Sequence, residues 1–124
     1  MTNTRQKGLL LEKHCFEQIK AKGLDDHARN SWNSGATNTE KSDIWTSLTI
    51  LGQNIGIECK NQNLLKIPEW WKQTKKLESL GREPVLAFKM FGEPMAETKV
   101  VIYYDTLLEL IKESNEYRKL CKEK

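Results

Sequence analysis

The stretch SDIWTSLTILGQNIGIECKNQ, residues 42–62, determines the structure that we predict for the middle of the chain. Residues 44–50 are rich in β-branched and aromatic side chains, and residues 55–60 form a second apolar run. The polar GQN at 52–54 separates the two runs and supplies residues that are common in turns. The pattern therefore predicts an antiparallel hairpin.

Charged side chains stand at particular places in this hairpin. Because alternate residues of a strand point to opposite faces, Glu58 and Lys60 share one face, opposite the apolar residues of the same strand. Asp43 stands at the start of the first strand, where pairing can bring it beside Glu58. The spacing alone is a weak signal, since ETK at 97–99 matches it equally well and surface ion pairs are common.

The same residue types can also build a metal site. Hard divalent cations prefer carboxylate and carbonyl oxygens, so Asp43, Glu58 and the backbone carbonyl of Cys59 could hold Mg²⁺, with Mn²⁺ as a substitute. Lys60 would then lie beside the attacking water, where it could orient the nucleophile or offset phosphate charge. Phosphodiester hydrolysis needs both an activated water and charge neutralisation. We therefore treat these residues as candidate catalytic groups.

The whole chain has the length and composition of one domain, residues 1–124. Hydrophobic residues make up 38% and the charges are of mixed sign, which excludes a disordered polyelectrolyte. Lys plus Arg exceeds Asp plus Glu by 20 − 17 = 3, which permits a polyanionic partner without requiring one.

Cysteine usage and hydropathy predict the compartment. The 3 cysteines include no CxxC pair, and an odd number argues against a disulfide framework. No signal-peptide pattern opens the chain, and no apolar run approaches the roughly 18 residues that a membrane span needs. We expect a cytoplasmic protein in a reducing environment, without a membrane partner.

The other periodicities surround the hairpin with helices and strands. Helical spacing predicts helices over residues 4–21, 68–80 and 105–120. Strand-like runs are found at residues 27–31, 84–90 and 99–104. Gly23 and Gly81 are expected to end the first two helices, and Asp105 to cap the third. The order predicts a mixed α/β domain with a sheet flanked by helices.

Taken together, the motifs resemble the PD-(D/E)xK nuclease superfamily, with SD at 42–43 and ECK at 58–60. More narrowly, they resemble the archaeal-type Holliday-junction resolvases. That family opens with a basic segment, Lys-Gly and a glutamate-bearing helix, matched here by RQKGLLLE at 5–12. A small-residue loop with serine is matched by NSGAT, and WWKQTKKLESLGREPVLAFK matches a helix ending in glycine before a strand ending in lysine. The likeness covers residues 4–90, with Ser42 in place of the proline of the superfamily's name.

The resemblance implies a restriction-endonuclease-like fold and a function. The expected protein is a Mg²⁺-dependent endonuclease that makes paired symmetric nicks in four-way DNA junctions as a homodimer. Carried over by position, Glu12, Asp43 and Glu58 would hold or orient Mg²⁺, and Lys60 would position water. Ser34 would touch the DNA backbone near the scissile bond, and Gln73 would be the glutamine that many members carry after the lysine. The compact size suits a phage-encoded protein.

Basic residues supply candidate DNA contacts around this site. Lys72, Lys75 and Lys76 lie near Trp70 and Trp71 and could follow phosphates along a strand. Adjacent helix positions point about 100° apart, so both tryptophans cannot be equally buried, and we expect the exposed one at a dimer contact. The remaining candidate contacts are Arg5, Lys7, Arg29 and Lys41.

Two other functions stay open. One is a nuclease of the same fold that acts in restriction, repair or replication on another DNA substrate. The other is a non-catalytic DNA-binding module whose acidic residues and lysine are decorative. Substrate geometry separates the first from a resolvase, and metal dependence separates the second.

Overall fold

The computed structural model describes residues 4–30 and 43–123, with side chains from Gln6 onward. Within these ranges the chain is an α/β domain with a mixed, open six-stranded sheet flanked by helices. The helices are α1 (Thr4–Ala21), α2 (Ile67–Thr74) and α3 (Tyr104–Lys122), with 3-10 turns at Lys75–Leu80 and Met95–Glu97. The strands are β1 (Arg29–Asn30), β2 (Ile44–Trp45), β3 (Thr49–Ile50), β4 (Gln53–Gln62), β5 (Glu83–Met90) and β6 (Lys99–Val101).

The sheet runs in the order β1-β2-β4-β5-β6, and β3 pairs with β4 as well. β4 and β5 are parallel, while the other described pairs are antiparallel. A parallel pair needs a crossover, which α2 and the following 3-10 turn provide. β5 is buried from residue 84 to residue 89, as its predicted apolar run requires of a central strand.

Helix α1 covers one face of the sheet. Its bounds agree with the helix predicted over residues 4–21. Leu11 is fully buried in a cluster with Ile57 and Cys59 of β4, whereas the neighbouring Leu10 is exposed. The helix ends at Gly23, whose φ of 70° is in the left-handed region that favours glycine.

Helix α2 covers the opposite face. Trp70 packs with Leu86 and Phe88 of β5, and its ring centroid lies 5.8 Å from that of Phe88. The sheet is therefore a central layer between helices, and the two faces of β4 meet different helical layers.

The predicted hairpin is confirmed, with its turn shifted. Leu51 and Gly52 both have positive φ, 53° and 82°, and Gln53 and Asn54 already belong to β4. A two-residue turn with positive φ at both positions matches the twist of the flanking strands. The turn is therefore Leu51–Gly52 rather than GQN.

The second predicted helix is only partly correct. The α-helix stops at Thr74, and the chain continues as a 3-10 turn to Gly81, which has φ of 74°. Thr74 is buried and its Oγ1 donates to the Trp70 carbonyl at 2.7 Å. Such bonding from a helical threonine to the preceding turn bends helices, which accounts for the change in winding.

The predicted 99–104 strand is too long, and Asp105 is not the cap of the last helix. β6 ends at Val101, and Tyr103 is the N-cap residue, with Asp105 inside the first turn. Tyr103 is held by an edge contact with Trp71, at 5.2 Å between centroids, and by its hydroxyl donating to Glu78 at 3.2 Å. Trp71, the less buried of the two tryptophans, thus has an aromatic partner within the chain.

Among residues 4–30 and 43–123, no helix combines the length and apolar character that crossing a bilayer requires.

Candidate active site

Asp43 comes directly before β2 and is tied to β4 through both its backbone and its side chain. Its N–H donates to the Ile57 carbonyl at 2.9 Å, and its Oδ2 accepts the Cys59 N–H at 2.7 Å. Ile44 stands opposite Ile57 in the register. The hairpin therefore brings Asp43 to Glu58, and their side chains share a hydrogen bond. We call Asp43 and Glu58 the carboxyl pair.

The register of Asp43 depends on a distant residue. β2 and β3 are separated by a break at Thr46–Leu48, and Asp25 fills it. The Asp25 Oδ2 accepts the Thr46 hydroxyl at 2.6 Å and the Ser47 N–H at 2.9 Å. These bonds lower the pKa of Asp25 to about 2 and hold the first hairpin strand in place.

Burial and mutual repulsion dominate the electrostatics of the carboxyl pair. Glu58 is only 6% exposed. Burial, the charge of Asp43 and the shared hydrogen bond raise the pKa of Glu58 to about 8, although Lys60 acts in the opposite direction. Burial also raises the pKa of Asp43, while the Cys59 N–H and Glu58 oppose the rise. Because two adjacent negative charges repel, the site favours keeping a proton on Glu58 at neutral pH.

Glu12 acts on this pair from helix α1. Burial, and then the negative charge of Asp43, raise the pKa of Glu12 to about 7. Glu12 also contributes to the raised pKa of Glu58. In the described part of the chain, no three His, Cys, Asp or Glu side chains are grouped closely enough to hold an ion. An ion here would therefore depend on the carboxyl pair and a backbone oxygen, with Glu12 acting through its charge.

The Cys59 carbonyl is directed to the same edge of β4 as the Asp43 carboxylate. Residues two apart in a strand aim their backbone groups at the same neighbour. The Ile57 carbonyl and the Cys59 N–H both bond to Asp43, so the Cys59 carbonyl faces that side, beside the point where β2 begins. It is a suitable third oxygen donor.

Lys60 lies on the same face as Glu58, as the alternation predicts. In the register with β5, Glu58 stands opposite Leu86 and Lys60 opposite Phe88, both in the layer under α2. Lys60 is half-buried, and its charge lowers the pKa of both members of the carboxyl pair. A decorative surface ion pair would be solvated, whereas this polar face of β4 lies under a helix.

A cavity of about 390 Å³ opens beside Glu58 on this face, lined by Glu58, Gln73, Lys76, Leu77, Ser79 and Leu80. The end of α2 and the 3-10 turn therefore bring an amide and an ammonium group to the same opening as the buried carboxyl group. Lys72 and Lys75 are exposed on the same segment but do not line the cavity. Gln73 and Lys76 are exposed whereas Glu58 is buried, so an anionic group at the opening would have an amide and an ammonium group beside it.

The remaining candidate DNA contacts are scattered. The Lys7 Nζ lies 3.5 Å from the centroid of the Phe91 ring, and the exposed Arg29 lies 5.1 Å from that of Trp45. Arg5 belongs to the first turn of α1. Ser34 and Lys41 lie outside the described residues.

Two polar residues were given no role in the candidate site by the sequence, although Lys89 is the strand-ending lysine of the resemblance. Asn61 and Lys89 are register partners near the carboxyl ends of β4 and β5, and both are buried. The Asn61 amide donates to the Lys7 carbonyl at 2.9 Å, and the Lys89 ammonium donates to the Met90 carbonyl at 3.2 Å. Within the described residues the Asn61 Oδ1 makes no hydrogen bond. The sequence signal that could have identified them is a polar side chain inside an otherwise apolar strand.

Comparisons with models of known protein families, with curated proteins and with solved structures find no match. Fold and site together define an α/β protein with a carboxyl pair, buried Glu58 and half-buried Asp43, where an antiparallel and a parallel neighbour flank the same strand.

Proposed function

We propose that this protein is a Mg²⁺-dependent, structure-specific DNA endonuclease that resolves four-way junctions. The single observation that carries the proposal is the carboxyl pair, because two adjacent acids, one of them buried, cost stability, and carboxyl groups with such raised pKa values cluster at functional sites. The resemblance of the sequence to junction resolvases selects the reaction.

The donor set fits a hard divalent cation. Asp43, Glu58 and the Cys59 carbonyl offer oxygen atoms only, which Mg²⁺ prefers. A cation that binds between these two carboxyl groups would displace the proton held there to solvent, because metal ligands must be deprotonated. When bound, Mg²⁺ supplies Lewis acidity and positive charge against the phosphate.

The chain's own residues complete the site. Lys60 shares the face of Glu58 and would orient the attacking water and offset charge that develops on the phosphate. Gln73 and Lys76 line the cavity beside Glu58 and would hold the phosphate that enters it. Glu12 would keep the local field negative and so favour the cation.

The substrate follows from charge and symmetry. Exposed lysines on the α2 segment suit a polyanion. Paired nicks in a four-way junction require two sites related by two-fold symmetry, which a homodimer provides.

The test uses purified protein with a labelled four-way junction and a matched linear duplex, in Mg²⁺, Mn²⁺ or EDTA. We expect paired symmetric nicks in the junction alone, supported by either ion and absent in EDTA. Asp43→Asn and Glu58→Gln should each reduce cleavage by at least about 10²-fold while junction binding persists.

The matched control is Glu97→Gln, in the second Glu-x-Lys triplet, which should cleave as the wild type does. Undiminished cleavage by either carboxyl-pair variant would overturn the site. Equal cutting of both substrates would indicate a nuclease of another substrate preference, and binding without cutting would indicate a DNA-binding module.

A further inference from the structure

Helix α3 leaves the body of the domain after its first turn. Thr106 is buried and its Oγ1 donates to Glu83 at 2.7 Å. From Leu107 to Glu123 every residue is exposed except the half-buried Leu110. Isolated helices shorter than about 12–15 residues are marginal in water, so the projecting part of this 19-residue helix needs packing that the described residues, 4–30 and 43–123, do not give it.

One stripe of α3 carries large apolar side chains in its first half. Leu107 and Ile111 lie four residues apart, and they are 42% and 46% exposed. Residues at this spacing share one side of a helix. Both side chains face solvent, and so does Leu108 at 44%.

The second half of the same stripe carries a depression instead. Small residues, Ser114 and Cys121, continue the spacing, and a surface hollow of about 530 Å³ is lined by Ser114, Tyr117, Arg118, Cys121 and Lys122. We call it the α3 hollow. Residues at i, i+3, i+4 and i+7 form the hole of knobs-into-holes packing. One helix thus presents projecting residues and a complementary hole on one side.

Charge is divided between the same halves. Residues 105–116 contain Asp105, Glu109, Glu113 and Glu116 against Lys112, which is −4 + 1 = −3. Residues 117–122 contain Arg118, Lys119 and Lys122, which is +3. An antiparallel neighbour of the same sequence would set each half against the opposite charge, whereas a parallel one would set like against like.

We propose that α3 pairs antiparallel with α3 of a second copy of this chain, each helix placing Leu107 and Ile111 into the α3 hollow of the other. With the two-fold axis at Ser114, position 107 faces 121 and position 111 faces 117. The same register sets Glu109 opposite Lys119 and Lys112 opposite Glu116. The inference rests on α3 alone and does not depend on nuclease activity.

The first test measures self-association by sedimentation velocity over a range of protein concentrations. The wild type should dimerise, and Leu107→Glu combined with Ile111→Glu should raise the dimer Kd by at least about tenfold. Leu120→Glu is the matched control, since Leu120 is 59% exposed on the other side of the same helix. It should change the Kd by less than about twofold, and unfolding curves should show that all variants remain folded.

The second test fixes the orientation with Leu107→Cys under mild oxidation. In the antiparallel pair the new thiol meets Cys121 of the partner, so a cross-linked dimer should form and should disappear when Cys121→Ser is added. Wild-type Cys121 should not cross-link to itself, because 7 residues on each side of the axis at 1.5 Å per residue place the two thiols about 21 Å apart along the helices.

A monomeric wild type overturns the proposal, as does a dimer that survives the double glutamate variant or cross-links through Cys121 alone. If the wild type is monomeric and binds a DNA junction or lipid vesicles, and the double glutamate variant does not, then this side of α3 contacts DNA or a lipid surface and the proposal fails.

Discussion

The Glu58 carboxyl group is held away from the water that would stabilise its charge. Apolar Leu86 stands opposite it on β5, and Asp43 adds a second acid beside it. Each proton that the folded state retains at neutral pH is one that the unfolded chain would release. The site is therefore a local weakness of the fold, which is the usual consequence of arranging groups for function.

This arrangement predicts how stability depends on pH. The pKa of Glu58 rises from 4.5 to about 8 and that of Glu12 from 4.5 to about 7, so their contributions are fully present below pH 4.5 and are lost as the pH rises toward 8. We expect the free energy of unfolding to fall by on the order of 3 kcal/mol between pH 5 and pH 9. Urea denaturation across this range measures it. Asp25 has the opposite sign, because its pKa is lowered to about 2 from 3.8, and its contribution is lost only as the pH falls toward 2.

Glu58→Gln supplies the contrast for that experiment. With a neutral amide, the free energy of unfolding should lose much less of its value above pH 5. The variant should therefore be more stable than the wild type at pH 9. Mg²⁺ at pH 8 should stabilise the wild type and not the variant, because the cation would take the place of the proton on Glu58. Glu69→Gln, on the first turn of α2, should follow the wild-type curve. Identical curves for wild type and Glu58→Gln would show that the carboxyl pair does not store this energy.

The shared face of Glu58 and Lys60 could be predicted from the sequence, whereas the position of Asp43 could not. The face follows from the period of two along one strand, which is a local property. The register of Asp43 depends on the break between β2 and β3, and Asp25 stabilises that break from 21 residues upstream of Thr46. No short pattern encodes such a contact.

At the scale of elements, the approach of the 3-10 turn to β4 depends on Gly56. A Cβ at this position would lie 2.8 Å from Leu77 Cδ1 and 3.3 Å from Arg82 Cδ. Leu77 is 2% exposed, and its Cβ would also lie 3.3 Å from the new atom, so rotating the leucine side chain alone would not relieve the contact. Gly56→Ala should therefore destabilise the fold by about 1–3 kcal/mol in chemical denaturation.

Gly8→Ala is the matched control for this prediction. Gly8 is inside α1, and a Cβ there would meet nothing within 4 Å. Alanine should stabilise the helix by roughly 0.5–1 kcal/mol, which is opposite in sign to the Gly56 change. In a Leu77→Ala background the cost of Gly56→Ala should shrink, since its nearest neighbour is gone. An unchanged cost would assign the effect to the strand backbone instead of to this contact.

Elements with strong local signals were predictable, and elements decided by contacts were not. Helix α1 follows its apolar spacing and ends at the predicted glycine, and β5 follows its apolar run. The 3-10 winding after Thr74 and the helix start at Tyr103 arise from a buried hydroxyl and an aromatic contact between distant segments. The apolar residues of α3 gave a helix correctly, but their spacing did not reveal whether the domain or another surface would cover them.

At the scale of the whole molecule, the sheet separates two basic surfaces. Lys72, Lys75 and Lys76 are exposed on the α2 side, next to the cavity that Glu58 lines. Exposed lysines on α1 belong to the other side of the sheet. The net charge of +3 is too small to attract DNA uniformly, so the proposed function requires that the α2 side supply the phosphate contacts.

Salt dependence of junction binding tests this asymmetry without relying on cleavage. Each phosphate contact contributes about 0.9 to the slope of log K against log salt concentration, because binding releases condensed counterions. Replacing Lys72, Lys75 and Lys76 together by alanine should lower the magnitude of the slope by about 2 to 3, measured by fluorescence anisotropy in EDTA. The control removes the same charge from α1 and its end, at Lys13, Lys20 and Lys22, and should leave the slope nearly unchanged. Equal reductions in both variants would mean that binding follows net charge, and the α2 side would then have no particular role in holding the junction.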